Sequence, residues 1–259
     1  MSQKKIGLAL SGGGARGFAH VGVLKVLVEH NIPIDMIAGT SAGSIVGGAF
    51  SAGMSVDEII GMALKVGWTN MTRPSLSPLG LLSNFPMGTF LENHFPVKTF
   101  EDCRIPFAAV ACDFESGEEI VFKNNGDLIT AIRASCAVPG VFTPLKVNND
   151  KLLVDGGAVS PMPIDAARQM GADLVIAVNL MACGATFLTR PRTAIGVMFQ
   201  SGMALLRATS QNQHYHADII IEPQIAHLRP DQIKKRDEFI ALGEAAALEN
   251  IDEIKGLIH

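Results

Sequence analysis

The chain has 259 residues, 48% of them apolar and 18% charged, with a formal net charge of −4. Length suits one large α/β domain or two small ones, and the composition is that of a compact globular protein, not a disordered chain. Scattered lysines and arginines on an acidic total form no basic stripe, so no nucleic-acid partner is expected.

No low-complexity tract, repeat or charge block offers a linker, so residues 1–259 read as a single domain. The densest basic cluster, Lys234-Lys235-Arg236, is diluted by Asp231, Asp237 and Glu238 and reads as a solvated helix face. Lys4-Lys5 before an apolar run resembles the start of a signal peptide, but the run stops at Ser11, and export by that route is not expected. Cys103, Cys112, Cys136 and Cys183 lack C-x-x-C spacing and read as reduced cysteines of a cytoplasmic protein. Residues 36–56 carry no charge, and Gly39, Gly43 and Gly47 have G-x-x-x-G spacing. Five serines and threonines and five glycines nonetheless make that stretch a poor membrane span.

Residues 4–10 are a predicted strand ending in a glycine loop over 12–17, after which Phe18, Val21, Leu24 and Val28 recur at helical spacing to about His30. Asn31 and Pro33 stop that helix. A strand over 34–38 and a small-residue helix over 42–52 follow, and this alternation predicts a parallel sheet covered on both faces. Ser55 and Glu58 have capping-box spacing and open a helix to about Val66. From 68 to 96 the pattern dissolves: Pro74, Pro78, Pro86 and Pro96 with Gly80 and Gly88 forbid a long helix, while Leu76, Leu79, Leu81, Leu82, Phe85, Phe90 and Phe95 are too apolar for a plain surface loop. Residues 68–98 therefore read as an irregular, lid-like segment.

Strands over 106–112 and 118–122 turn at Glu115-Ser116-Gly117, a helix spans 128–136, and a strand over 152–154 ends at Asp155-Gly156-Gly157. Pro163 opens a helix over 164–170 that Gly171 caps, and 174–178 is a buried strand. Residues 190–259 hold a helix over 193–213, a strand over 218–221 and a helix over 231–254. The predicted class is a three-layer α/β/α fold around a central, mostly parallel sheet.

Gly39-Thr40-Ser41-Ala42-Gly43 is a G-x-S-x-G pentapeptide at a strand-to-helix turn. So sharp a turn needs small neighbours at Gly39 and Gly43 and pushes the serine hydroxyl out at the strand's carboxyl end, before a helix N-terminus where negative charge is favoured. Ser41 is the candidate nucleophile; a plain N-cap is the alternative. Gly12-Gly13-Gly14-Ala15-Arg16-Gly17 also satisfies the dinucleotide pattern G-x-G-x-x-G. Asp35, however, lies at the wrong end of its strand to hold a ribose. In either case the loop offers backbone N–H groups to an anion, and a tetrahedral oxyanion is preferred beside a serine elbow. Arg16 adds positive charge there or forms a surface salt bridge.

Among the seven histidines only His20 is placed near Ser41, and it reads as a packed helix residue. His214 and His216 form H-x-H without further metal-ligand neighbours, so no metal and no cofactor are expected. Asp155 is the stronger partner: it ends an apolar strand, and Gly156-Gly157 lets substrate approach its carboxylate. As a base it needs desolvation to raise its proton affinity; a turn-forming Asp-Gly is the alternative.

S-G-G-G-A-R-G, G-T-S-A-G and D-G-G in this order, with A-S-C-A-V-P-G-V-F-T-P over 134–144 between the last two, resemble the patatin-like phospholipase family over residues 4–178. The resemblance implies a core over 4–180, a serine acyl hydrolase with Ser41 as nucleophile, Asp155 as base and the backbone of Gly12, Gly13 and Gly14 as oxyanion hole. Arg16, Gly17, Gly39, Gly43, Gly156 and Gly157 support those motifs. It implies a lipid or ester substrate. Within that range the 68–96 segment lies outside the resemblance; its Leu79, Leu81, Leu82, Phe85 and Phe90 are candidates for the wall or lid of an acyl site, with ordinary core packing as the alternative. Contact with the inner membrane face and a homodimer through the 193–213 helix stay open. Two rival readings are an NAD(P)-binding oxidoreductase and a catalytically idle scaffold on the same fold.

Overall fold

A computed structural model describes residues 4–147, 151–181, 191 and 193–258. In chain order its elements are β1 (Ile6–Leu10), α1 (Phe18–Glu29), β2 (Met36–Thr40), α2 (Ala42–Ser51), α3 (Val56–Lys65), α4 (Trp68–Met71), β3 (Arg73–Pro74), β4 (Gly80–Ser83) and α5 (Phe85–His94). There follow β5 (Phe107–Asp113), β6 (Glu119–Lys123), α6 (Leu128–Ser135), β7 (Gly140–Phe142), β8 (Leu145–Lys146), β9 (Leu152–Asp155), α7 (Ile164–Gln169), β10 (Leu174–Val178), α8 (Ala194–Gln213), β11 (Ile219–Ile221) and α9 (Arg236–Ile258). The main sheet runs β11-β10-β1-β2-β5-β9-β8, with β6 also paired to β5. Its first five strands are parallel; β6 and β9 pair antiparallel with β5, and β8 pairs antiparallel with β9.

Alternation along the central strands divides the core by size. Ile6, Leu8 and Leu10 of β1 and Leu174, Ile176 and Val178 of β10 face the layer that contains α1, α2, α3 and α9. Ala9, Ala38, Ala108 and Ala177 face the other side, against Ile164, Ala166 and Ala167 of α7. Both faces are covered, as a parallel sheet requires, and each fully buried Leu or Ile contributes about 1.5–3 kcal/mol. The long α9 closes over α1 backbone to backbone: a Cβ at Gly22 would lie 2.0 Å from the Ile240 carbonyl, and one at Gly243 2.0 Å from that of Ala19. Any side chain at either position would force the helices apart.

Most elements lie where the sequence puts them, and the Ser55–Glu58 capping box is present. The second strand sits two residues later than expected, at Met36–Thr40, because the Asp35 carboxylate is used to accept the Ile6 N–H. The larger correction falls on 68–96, which holds the short α4, the β3–β4 hairpin and the ten-residue α5. Pro86 is tolerated in the first turn of α5, where its missing N–H costs nothing. Gly88 is where Arg133 packs, since a Cβ there would lie 2.6 Å from Arg133 Cδ. The short β7 and β8 were not expected; β7 extends the hairpin into a separate three-stranded sheet, β3-β4-β7.

Cys103, Cys112 and Cys136 are free thiols, and Cys183 lies outside the described residues. Among the described residues no helix is long and apolar enough to cross a membrane. The C-terminal end of α8 is anchored by Gln213, which bonds the Met162 N–H and the Ser160 hydroxyl, while Val197, Met198 and Leu205 are exposed.

Candidate active site

Strand register brings Ser41 and Asp155 together. On one side β5 is paired with β6 from Ala108 to Cys112, so β2 and β9 must share its other side. There β2 ends at Thr40, opposite Val110, and β9 arrives antiparallel with Asp155 opposite Ala111. The two carboxyl ends meet head-on, and the residues just beyond them, Ser41 and Gly156, share the junction. Gly156 crosses β5 so closely that a Cβ would stand 2.2 Å from the Val110 carbonyl.

Ser41 has φ 53° and ψ −122°, a strained conformation for a residue with a side chain, costing on the order of 1–3 kcal/mol. The surroundings over-determine it. The Ser41 N–H donates to Ser135 Oγ at 2.8 Å, Ser135 Oγ donates to the Val110 carbonyl at 2.6 Å, and Ser44 Oγ donates to the Ser41 carbonyl at 2.6 Å. Gly43 lets the elbow pack on β1, where a Cβ would meet the Leu10 carbonyl at 2.1 Å, and Gly39 faces Gly43 with equally little room. The Ser41 side chain makes no capping bond to α2, which removes the plain N-cap reading. Its hydroxyl instead lies near the Asp155 carboxylate, close enough to help hold that group's pKa down.

Asp155 is 6% exposed, and its Oδ1 accepts the Gly157 N–H at 2.8 Å. Burial pushes its carboxyl up to about 6, while the nearby Ser41 hydroxyl and the Gly157 N–H hold it from rising further. The Asp155 N–H donates to the Ala137 carbonyl at 2.9 Å. One short stretch, Ser135 to Ala137, thus fastens the backbones of both Ser41 and Asp155. The family-like motif over 134–144 was visible in the sequence without a role for these residues; bracing the junction is what they do. Cys136 lies against Ser44 and Ser41, its thiol pushed up by burial and the Asp155 charge nearby.

The glycine loop is more committed than its sequence suggests. The Gly12 N–H donates to Pro161 O at 3.1 Å and the Ala15 N–H to Pro230 O at 2.7 Å. Among the described residues, the N–H groups of Gly13 and Gly14 meet no acceptor, whereas that of Gly12 is already used. Gly14 has φ 59°, and a Cβ there would lie 2.7 Å from Pro230 O. Gly12 packs on the Ser41 side chain and Gly17 on Ala42.

Arg16 is not at the surface. It is fully buried, and its guanidinium donates to the Leu228 carbonyl at 3.1 and 2.8 Å and to that of Leu180 at 3.2 Å, tying the loop to the chain's C-terminal third. His20 is also fully buried, with Nε2 2.8 Å from the Ser11 carbonyl and its pKa lowered to about 4 by desolvation. It is therefore neutral and bonded to the loop. His216 pairs with Asp165 and His214 with Glu222, and among the described residues no cluster of three or more His, Cys, Asp or Glu could hold a metal.

An apolar cavity of about 170 Å³ opens beside Ser41. Met62, Trp68, Met71, Met87, Phe90 and Phe142 contribute to its wall. Of the five residues expected there only Phe90 lines it: Leu79, Leu81 and Phe85 are at least half exposed, and Leu82 is taken up in pairing with Phe142. Methionine was overlooked as a lining residue because it carries no polar signal, although its flexible thioether suits a chain of variable shape.

Residues 8–168 match the family model of patatin-like phospholipases. An uncharacterized NTE family protein of Mycobacterium tuberculosis is 39% identical over 182 residues, which cover 69% of this chain and 50% of that protein. Patatin-like phospholipase domain-containing protein 6 of Homo sapiens is 35% identical over 184 residues, 68% of this chain and 13% of that protein. The crystal structure of VipD from Legionella pneumophila superposes with a TM-score of 0.59 at 15% identity, covering 97% of this chain and 67% of that one, which shows a shared fold. The chain belongs to the patatin-like phospholipase family. It spans half or less of the length of these curated relatives.

Proposed function

We propose that the chain hydrolyses carboxylic esters of lipids, phospholipids or lysophospholipids, through an acyl–Ser41 intermediate with Asp155 as its base. The observation that carries this reading is the meeting of an elbow serine and a buried carboxylate at the ends of β2 and β9, with the serine at an apolar cavity. Asp155 takes the Ser41 proton as Oγ attacks the ester carbonyl, and the Gly13 and Gly14 N–H groups, with the α2 N-terminus, hold the oxyanion. The tetrahedral species collapses, the C–O bond to the alcohol breaks, and Asp155 returns the proton to that oxygen. Water then gives its proton to Asp155, attacks the acyl–serine and releases the fatty acid, the proton going back to Ser41 Oγ. A carboxyl near 6 is half-way between a weak base and a spent one at neutral pH, which suits both transfers.

A fluorophosphonate probe is expected to label the wild type, and Ser41→Ala to lose both the label and the turnover of p-nitrophenyl butyrate. Retained ester turnover in Ser41→Ala would overturn the assignment. The dinucleotide alternative is disfavoured by the loop itself, because Gly12 and Ala15 already donate to carbonyls and Pro230 lies against Gly14. An idle scaffold on the same fold would bind the probe weakly or not at all and turn over no acyl ester.

A further inference from the structure

We propose that the β3–β4 hairpin and its flanks form a docking surface that seats the cavity mouth on an anionic lipid bilayer; this rests on the lipid-ester reading above. Large apolar side chains crowd the surface here: Leu76 is fully exposed, Leu81 75%, Leu79 53%, and Trp68 and Phe85 50% each. Leu79 sits in the turn just before β4 and Leu81 within the strand. Exposed apolar surface on this scale marks an interaction site and not an ordinary solvated face.

The patch is continuous with the cavity. Trp68, Met71 and Thr72 line the cavity and lead directly into β3, while Leu82 of β4 pairs with Phe142, another wall residue. The cavity's size makes the continuity useful. About 170 Å³ is close to a void that holds a benzene-sized guest, so a long acyl chain has to extend beyond the mouth. On this surface the excess would stay in hydrocarbon.

Charge selects the partner. No Asp or Glu occurs between Glu58 and Glu92, in a chain with 25 of them, whereas Lys65 and Arg73 are exposed there. Arg73 stacks over the Phe85 ring at 4.7 Å, a cation held beside an apolar side chain, as at a headgroup boundary. Half-exposed tryptophan is favoured at the same depth. An acidic protein that keeps carboxylates out of this apolar segment while exposing Lys65 and Arg73 in it is complementary to anionic lipid.

Trp68 is the sole tryptophan and reports directly. With vesicles of equal phosphatidylglycerol and phosphatidylcholine, the wild type is expected to co-sediment, and brominated lipid to quench Trp68. Pure phosphatidylcholine vesicles should bind at least about tenfold more weakly. Leu76→Asp with Leu81→Asp is expected to weaken vesicle binding by about tenfold or more while leaving p-nitrophenyl butyrate turnover within about twofold. A melting curve matching wild type checks that the double variant is folded, and Arg73→Gln, which leaves the leucines in place, should lower binding to anionic vesicles alone. Ser41→Ala should bind vesicles like wild type. Wild type that fails to bind, or a double variant that binds equally well, overturns the docking surface whatever the soluble ester shows. Vesicle binding without soluble-ester turnover would instead sink the catalytic reading. Sedimentation velocity that finds a dimer broken by the two aspartates, with vesicle binding untouched, overturns the proposal in favour of a second copy.

Discussion

The two walls of the cavity are built in opposite ways. On one side stand Ser41 and the Asp155 turn, both buried, and the glycine loop, with backbone groups tied by Ser135, Ala137, Pro161 and Pro230. On the other stand α3, α4 and α5, short helices that present Met62, Met71 and Met87 and carry half-exposed Trp68 and Phe85. A reacting atom has to be held within a fraction of an ångström, whereas an acyl chain only has to be kept from water. Rigidity is concentrated where position matters, and adaptable side chains where volume does.

The largest expected effects are on the rigid wall. Asp155→Asn keeps the shape of the turn and should lower ester turnover by about 10³-fold or more, since the base is gone and only the oxyanion donors are left. Its stability should move the other way. The native carboxyl is raised from 3.8 to about 6, so folding takes up a proton between those values and stability falls as pH rises through that window. Asparagine removes the penalty: the variant should unfold at higher temperature above pH 6, by roughly 2–3 kcal/mol, with no such gain below about pH 4. In the wild type the same ionisation places the acid limb of kcat/KM near pH 6, turnover falling as pH drops through it. A variant that is less stable than wild type at pH 8 would contradict the desolvated carboxylate.

A smaller loss is expected at the brace. Ser135→Ala leaves the Ser41 N–H and the Val110 carbonyl without a partner in a buried junction, at about 1–3 kcal/mol for each unsatisfied group. Stability and turnover should both fall, and Ser135→Thr, which keeps the hydroxyl, should recover part of each. Turnover unchanged in a destabilised Ser135→Ala would mean that Ser41 holds its strained φ without this support.

How much of this was legible in the sequence follows the same division. The elbow, the glycine loop and the Asp-Gly-Gly turn are local patterns whose residue types are dictated by sharp turns and close approaches, so Ser41 and Asp155 could be picked out from order and spacing. Their meeting depends on which side of β5 β9 joins, which is a matter of sheet pairing that no local pattern records. The bonds of Arg16 to Leu180 and Leu228 could not be read locally, because these are main-chain carbonyls more than 160 positions away. On the soft wall, Pro86 and Gly88 argued against a helix; tertiary contact with Arg133 and the tolerance of a first turn for proline reversed that.

The smallest effect should come from the soft wall, and it is the one that separates the walls most sharply. Met71→Leu and Met87→Leu conserve volume while removing a flexible thioether, and such exchanges usually cost less than about 1.5 kcal/mol. Short esters such as p-nitrophenyl butyrate reach only the mouth of the cavity and should be turned over at nearly the wild-type rate. Esters of longer acids have to bend past Met62, Met71 and Met87, and stiffer walls should narrow the range of chain lengths accepted, raising KM for the longest by a few fold with kcat unchanged. A fall in kcat across all lengths would mean that these methionines help to position Ser41, and that the division between a rigid and an adaptable wall does not hold.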